Sequence, residues 1–472
     1  MLRRIAALCV PLGLIAAACG GDDETSTATA SSTAPSSEPA GADPEGVSST
    51  DVETPSSPVQ PGGEAGAGDA DGVVFVPGDA DTIQAGVDMA APGDLVLISP
   101  GTYEESVDVT TDELTIRGLD RAGVVLDGNF ALDNGIRALG ASNVVIENLT
   151  VQRFVNNGVF WTGVDGYRGS YITAYLNGEY GIYAFDSVNG QIDNSYASGS
   201  AGAGLYVGQC FPCNGLVDSS HAEYNGLGYQ GTNSGGDMIV SNSRFNNNRV
   251  GIFPNSGSYE LCYPQRQTVF TDNTVDNNNE PLAPSLSFSA EWIGNGIITP
   301  GGIGNVIQNN SVTDHDRVGI ALVPFVERFP NDDLPTEEEW ETACADARED
   351  PLPESIPDEL VWESYDTVVT NNEIFDSGQA DMMVTSIDVP TEDLRNCWSD
   401  NVFATSQPAL LEELAPCDGE GSGDWSVDAF DLDAWDAQRV DLPPALASID
   451  ATIPPPPADL PNMPNAEAIT PN

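Results

Sequence analysis

The chain contains no lysine. Its 15 basic residues are all arginine and stand against 73 acidic ones, giving a formal net charge of −58. A field of that sign repels phosphate backbones and excludes a polyanion-binding patch, while carboxylates in such number suit hard divalent cations or simple solubility. Histidine is nearly absent, with two in 472 residues. One CxxC (Cys210, Cys213) without a second nearby therefore makes neither a zinc site nor, lacking a βαβ context, a thioredoxin-like motif. From Gly20 to about Gly72 there is no aromatic residue. A segment of Ser, Thr, Pro, Gly, Ala and acidic residues cannot bury enough apolar surface to offset its conformational entropy, and it reads as a disordered tether.

The only long apolar run opens the chain. Residues 1–19, "MLRRIAALCVPLGLIAAAC", have Arg3 and Arg4, an apolar stretch and small residues before a cysteine. That is an export signal too short to span a bilayer. Its end, "IAAAC", resembles the lipobox of bacterial lipoprotein signals, with Ala16 where Leu is usual. The resemblance implies that Cys19 becomes an acylated N-terminus anchoring the protein to a membrane; the alternative is an ordinary cleaved signal. Beyond Cys9 and Cys19, six cysteines remain (Cys210, Cys213, Cys262, Cys344, Cys397, Cys417), an even number that in an exported chain favours disulfides with 15 possible connectivities.

Between the ends lies a repeat. Glycines followed by an apolar residue fall at Gly135, Gly158, Gly181, Gly204, Gly228 and Gly251, in steps of 23, 23, 23, 24 and 23, and again at Gly319. A period of that size signals a solenoid. The residue after each glycine (Ile136, Val159, Ile182, Leu205, Tyr229, Ile252, Ile320) forms one column, predicted to be core. In "IENLTV", "IDNSYA", "VSNSRF", "IQNNSV" and "VTNNEIF", Asn148, Asn194, Asn242, Asn310 and Asn372 mark a bend slot, where Asn tolerates a left-handed backbone and can bond to the next coil. No segment in the repeat carries a 3.6-residue period, so the coils are strands and turns.

The pattern resembles the right-handed parallel β-helix, or pectin-lyase-like, solenoids over about residues 73–405. Residues 82–109 strengthen this: an apolar helical stripe (Ile83, Val87, Ala90 or Ala91) capped by Asp81 or Thr82 and ended by Pro92-Gly93, then "PGD", a strand and "PGTYEE". The expected fold is all-β, a right-handed parallel β-helix of roughly ten coils about 50 Å long, with an N-terminal capping helix. The expected organisation is a signal at 1–19, a tether at 20–72, the β-helix at 73–408 with an acidic insertion at about 326–365, and a cap with a Pro-rich tail at 409–472. The repeat is blurred between Asn279 and Gly302. In the acidic insertion Thr336 and Glu339 make a capping box, with Cys344 on the helix they would start. The coil then resumes with Asp381 in the glycine slot.

Three outward columns could carry function. Two residues after each glycine stand Arg137, Phe160, Tyr183, Tyr206, Gln230, Phe253 and Ala321. An exposed aromatic ladder of Phe160, Tyr183, Tyr206 and Phe253 would suit the flat faces of an extended sugar polymer, unless the 254–302 loops or the tail cover it. A second column runs Thr150, Thr173, Tyr196, His221, Arg244, and a third Glu147, Ser170, Asp193, Asp218, Ser241. Asp193 beside Asp218 could share a proton or hold Ca²⁺, the one cofactor considered. His221 could carry protons, Arg244 could take a uronate carboxylate, and Tyr196 could line the substrate. Ordinary solvated polar residues are the alternative throughout. Pectate lyase-like members of the resembled group use an acidic Ca²⁺ cluster with a basic residue, and polygalacturonase-like members use NTD, DD, GHG and RxK; none of those four occurs in the coils. Two functions follow: a lipid-anchored surface β-helix that binds, and in its stronger form cleaves or epimerises, an extracellular polysaccharide or cell-wall glycan, or a non-catalytic envelope rod.

Overall fold

The computed structural model describes residues 72–286, 289–328, 359–422, 425, 434, 435, 437 and 452–469. The signal, the tether, the Thr336/Glu339 capping box and Cys344 lie outside these.

Each coil contributes one strand to each of three sheets, as in Tyr180–Phe185 (sheet C), Val188–Asp193 (sheet A) and Tyr196–Ser198 (sheet B). Sheet A has twelve strands, sheet C eleven and sheet B ten, with successive coils pairing in parallel. The chain is thus all-β, a right-handed parallel β-helix. Helix α1 (Ile83–Met89) covers the first coils: Thr82 Oγ1 accepts the Ala85 N–H, and Ile83, Gly86 and Val87 are buried. At the other end sits helix α2 (Leu411–Leu414), with the Cys397–Cys417 disulfide beside it. Cys210 bonds Cys213, and Cys262 is also disulfide-bonded. No helix among the described residues is long and apolar enough to cross a membrane.

The predicted core column holds: Ile136, Val159, Ile182, Leu205, Tyr229, Ile252 and Ile320 are all at most 1% exposed. The glycines before them stack against the next coil. A Cβ on Gly181 would lie 2.6 Å from the Gly204 carbonyl oxygen, so any side chain there would force the coils apart. Gly296, whose neighbours Asn295 and Ile297 pair with Val250 and Ile252, is an eighth member hidden by the loop at 277–294. Asp381 does take this slot in the coil before the last, Ile320 pairing with Met382 and Met382 with Ser406, and its Oδ2 accepts the Ala404 and Thr405 N–H groups.

The asparagine slot resolves into two. Asn148, Asn194 and Asn242 have φ of 57°, 48° and 47°, the left-handed bend expected of them, but Asn310 and Asn372 belong to the next position, Asn309 and Asn371 taking the bend in their coils. That next position points inward and forms a chain of side-chain acceptors. The N–H of Ile172 donates to Ser195 Oγ, Ser195 to Ser220, Ser220 to Ser243, Ser243 to Asn273, Asn273 to Asn310, Asn310 to Asn372 and Asn372 to Asn401. Asn401 donates from both its N–H and its Nδ2 to Glu412 Oε1 on α2, which closes the chain.

A second ladder lines the corner between sheets B and C, from Asn225 to Asn248 to Asn278. Its last member is His315. The Asn278 N–H donates to His315 Nδ1 at 3.4 Å, and Nε2 lies 3.2 Å from the Val275 carbonyl oxygen, the place that Nδ2 of Asn278 holds toward Phe245. The imidazole imitates an amide, Nδ1 for the oxygen and Nε2–H for the nitrogen. Burial lowers its pKa to about 4, so it is neutral.

His315 therefore predicts a pH effect. Above pH of about 6.5 the ring is neutral folded or unfolded. As pH falls from there to about 4, the unfolded chain takes up a proton that the folded one refuses, and stability is progressively lost. His315→Asn should keep the ladder and remove that acid loss. His315→Leu should strand the Asn278 N–H and the Val275 carbonyl at a cost of about 2–4 kcal/mol. Thermal and urea unfolding followed by circular dichroism at pH 7 and 5 checks both.

Candidate functional site

The registers place the two polar columns as expected: Ser170, Asp193, Asp218 and Ser241 are partners along sheet A, and Thr173, Tyr196, His221 and Arg244 along sheet B. The carboxylates of Asp193 and Asp218 are held by separate sets of donors. Asp193 is 2% exposed, with Oδ1 accepting from Ser170 Oγ (2.5 Å) and Asn194 Nδ2 (2.7 Å), and Oδ2 from Arg168 Nε (3.1 Å) and Gln191 Nε2 (2.8 Å). Asp218 accepts from Ser241 and Asn242 at Oδ1 and from Ser219 at Oδ2. Four donors on Asp193 satisfy its lone pairs and tie it into the structure. The two rungs turn to different partners, so their proximity in register makes no acid/base dyad.

His221 and Tyr196 do come together, along with two residues that the sequence reading passed over. The rings meet edge-on at 5.4 Å. Tyr196 is 1% exposed and donates its hydroxyl to Glu223 Oε1 at 2.8 Å, so it is a positioning group and not the sugar platform expected. Burial, and then Glu223, raise its pKa, which keeps the hydroxyl protonated. Asn246 turns Nδ2 to Glu223 Oε2 (3.3 Å) and therefore Oδ1 to His221 Nε2 (2.6 Å). This assigns the proton to Nε2 and leaves Nδ1 as the basic nitrogen, with no hydrogen-bond partner among the described residues. The His221 side chain is 29% exposed. Glu223 and Asn246 follow His221 and Arg244 by two residues, and strand alternation alone was enough to find them.

Arg244 is 53% exposed but not open-handed: Nε and Nη2 grip Asp276 at 3.2 and 3.0 Å, one coil on. A ligand carboxylate would have to displace Asp276. Among the described residues no three His, Cys, Asp or Glu side chains gather as a metal-holding group, and at the Asp193/Asp218 location considered for Ca²⁺ the Asp193 oxygens already accept four hydrogen bonds.

The aromatic column is outward but not exposed. Phe160, Tyr183, Tyr206 and Phe253 are 6, 9, 0 and 0% exposed and share a second apolar cluster with Tyr180, Trp292 and Trp435, outside the solenoid interior. Phe160 and Tyr180 stack on Tyr183 at 4.6 and 4.4 Å, and Tyr206 meets it edge-on at 4.6 Å. Trp292, from the loop after Asn279, meets Phe253 at 5.5 Å and Trp435 at 5.6 Å, and the Arg317 guanidinium lies 3.5 Å over Trp435. Alternation correctly sent the ladder out of the solenoid, and loop and tail residues then covered it, so it offers no sugar platform in this state. Beneath the cover, both oxygens of Glu260 take the Tyr206 hydroxyl, at 2.6 and 2.8 Å. Desolvation pushes the Glu260 pKa up to about 8, with the Tyr206 hydrogen bond pulling the other way.

A carboxyl that ordinarily titrates near 4.5 and here near 8 weakens the fold as pH rises between those values, because the unfolded chain releases the proton first. Glu260→Gln should flatten the decline in melting temperature between pH 5 and 8.5 without lowering stability at pH 5. A scanning calorimetry series across that range tests it.

Residues 134–324 match the family model described as "Right handed beta helix region". No curated protein sequence matches the chain. Among solved structures it is similar to the A-module of Azotobacter vinelandii mannuronan C-5 epimerase AlgE4 (16% identity, 71% of this chain and 93% of that one, TM-score 0.46). It is also similar to an alginate lyase from Paenibacillus sp. str. FPU-7 (15%, 69% and 93%, TM-score 0.38) and to pectate lyase Pel9A (12%, 75% and 82%, TM-score 0.38). The match covers less than half of the chain, and the three parallel sheets that extend beyond it give the described residues the fold of a right-handed parallel β-helix.

Proposed function

We propose that this is an exported β-helix protein, tethered to the cell envelope through a lipid on Cys19, that binds an extracellular polysaccharide along the outer face of sheet B. The observation that carries the reading is the His221 cluster. The only other histidine, His315, is locked in the interior, whereas His221 is oriented by Asn246, Glu223 and Tyr196 and keeps a part-exposed ring on the outer face. Around it, Arg244, Asn247, Asp276 and Thr274 supply the dense donors and acceptors that sugar hydroxyls need.

The charge of the chain narrows the ligand. A net −58 repels a polyuronate, and Arg244 could take a carboxylate only by giving up Asp276. A neutral or sparsely charged glycan fits this face better. In the stronger form His221 Nδ1 removes or delivers a proton in cleavage or epimerisation, with Tyr196 and Glu223 holding the ring. The saturated carboxylates of Asp193 and Asp218 favour the second reading, a non-catalytic envelope rod, since they leave no acid/base pair on that column.

A glycan array on the purified protein separates the readings. Binding that Arg244→Ala weakens about tenfold, roughly 1.4 kcal/mol, supports the sheet B face. Release of new reducing ends from the bound glycan, lost in His221→Ala while binding persists, supports the catalytic form. No retained glycan leaves the rod. Cys19→Ala should release the protein from the membrane fraction if the lipid tether is right.

A further inference from the structure

The candidate face does not run the length of the rod. On the same column of sheet B as His221 and Arg244, the rungs toward the N-terminus (Thr150, Thr173, Tyr196) are 7, 4 and 1% exposed, although alternation sends them outward. The C-terminal segment 452–469 meets residues on both sides of the Thr173 rung. Ile453 packs on Tyr175 and Leu176, with Phe130 and Tyr224 beside it, and its carbonyl accepts the Tyr175 hydroxyl at 3.1 Å. Tyr175 ends the sheet B strand Thr173–Tyr175. At the opposite end of that strand the segment meets Arg121. Asn462 Oδ1 accepts the Arg121 N–H at 2.6 Å and the Pro461 carbonyl accepts Nη1 at 3.2 Å. Met463 N–H then donates to Asn148 Oδ1 at 2.8 Å, and the Ala468 carbonyl accepts Arg117 Nη1 at 2.8 Å.

The segment therefore crosses sheet B parallel to its strands, at right angles to the line His221–Arg244. Arg121 makes the crossing firm. It is 2% exposed, and its Nε, Nη1 and Nη2 also donate to Thr173 Oγ1, the Asn194 carbonyl and the Ile172 carbonyl. One guanidinium thus ties three coils to the tail. Burial lowers its pKa to about 10, so it stays charged at neutral pH.

We propose that residues 453–468 are the end wall of the glycan-binding face, so that the site takes the terminus of a polysaccharide chain and not its middle. The inference rests on the sheet B reading above. A polymer lying along the column would run from Arg244 over His221 and meet the strap at Tyr196 and Tyr175, where it must end. On the other side the column continues through Thr274, Ser311 and Glu373, exposed at Thr274 and Glu373 and half-buried at Ser311, so the chain enters from there.

The test counts protein per chain. Size-fractionated linear xylan, β-1,4-mannan and β-1,3-glucan, each labelled at the reducing end, are titrated with the full-length protein and read by light scattering. An end-binding site gives one protein per chain whatever its length. In a chain ended after residue 451, and in the folded Ile453→Asp/Asn462→Ala variant, the number bound should rise with chain length, at least threefold over a tenfold size range. The double variant keeps the test decisive if the truncation does not fold. Wild-type protein that already loads longer chains with more copies would overturn the wall and leave the sheet B site standing. Folded variants that still bind one per chain would also overturn it. Failure of wild-type protein to bind any of the three, or any array glycan, would remove the glycan reading and the wall with it.

Discussion

Everything in this molecule depends on satisfying the backbone N–H groups at the inner corners of the coils. Along the flats, parallel pairing does this automatically, but a chain that turns within two residues points an amide into the interior, where no sheet partner can reach it and no water enters. The answer is a side-chain oxygen supplied by the following coil: serine at Ser195, Ser220 and Ser243, asparagine from Asn273 onward, and an imidazole at His315. Each unsatisfied corner would cost on the order of 1–3 kcal/mol, so the run of such bonds decides whether the coils stack at all. The glycine column belongs to the same constraint, because the amide side chains and the next coil's carbonyls occupy the space that a Cβ would need.

The fold spends much of its polar chemistry on itself. A histidine, a buried aspartate with four donors and an arginine that joins three coils are all functional residue types used structurally. What is left over is small, ordered and in one place. On the outer face of sheet B the exposed groups are arranged by buried ones, Tyr196 and Asn246 fixing a ring that they do not themselves expose. On sheet C the same outward geometry ended differently, because the loops inserted after Asn255 and Asn279 carry their own aromatic residues and closed over the face.

Most of the architecture was legible in the sequence because it is periodic. The 23-residue step gave the register of all three columns, the inward row of apolar residues and the resumption at Asp381. Gly296 escaped because an insertion displaced it in number while leaving it in place in space. The asparagine slots merged because adjacent positions, one bent and one buried, favour the same residue for different reasons. The aromatic column shows the limit of the method. Alternation says which side of a strand a residue takes, whereas exposure depends on segments hundreds of residues away. The tail contacts at Arg117, Arg121 and Asn148 are of that kind, more than 300 residues apart in sequence, and no local pattern announces them.

The corner ladder has a direction: every link runs from a backbone donor in one coil to a side-chain acceptor in the next. It is also blind to how far apart its members are numbered. Ser220 and Ser243 are 23 residues apart, Asn273 and Asn310 are 37 and Asn310 and Asn372 are 62, yet each link is the same bond at about the same length. Only the terminus is special, because the last coil has no successor and must borrow Glu412 as its acceptor. Such a chain behaves like an assembly of interchangeable parts between two fixed fittings. Coils can be gained, lost or enlarged with loops in the interior during descent, and surface faces can lengthen or acquire roofs, so long as the final fitting travels with the end.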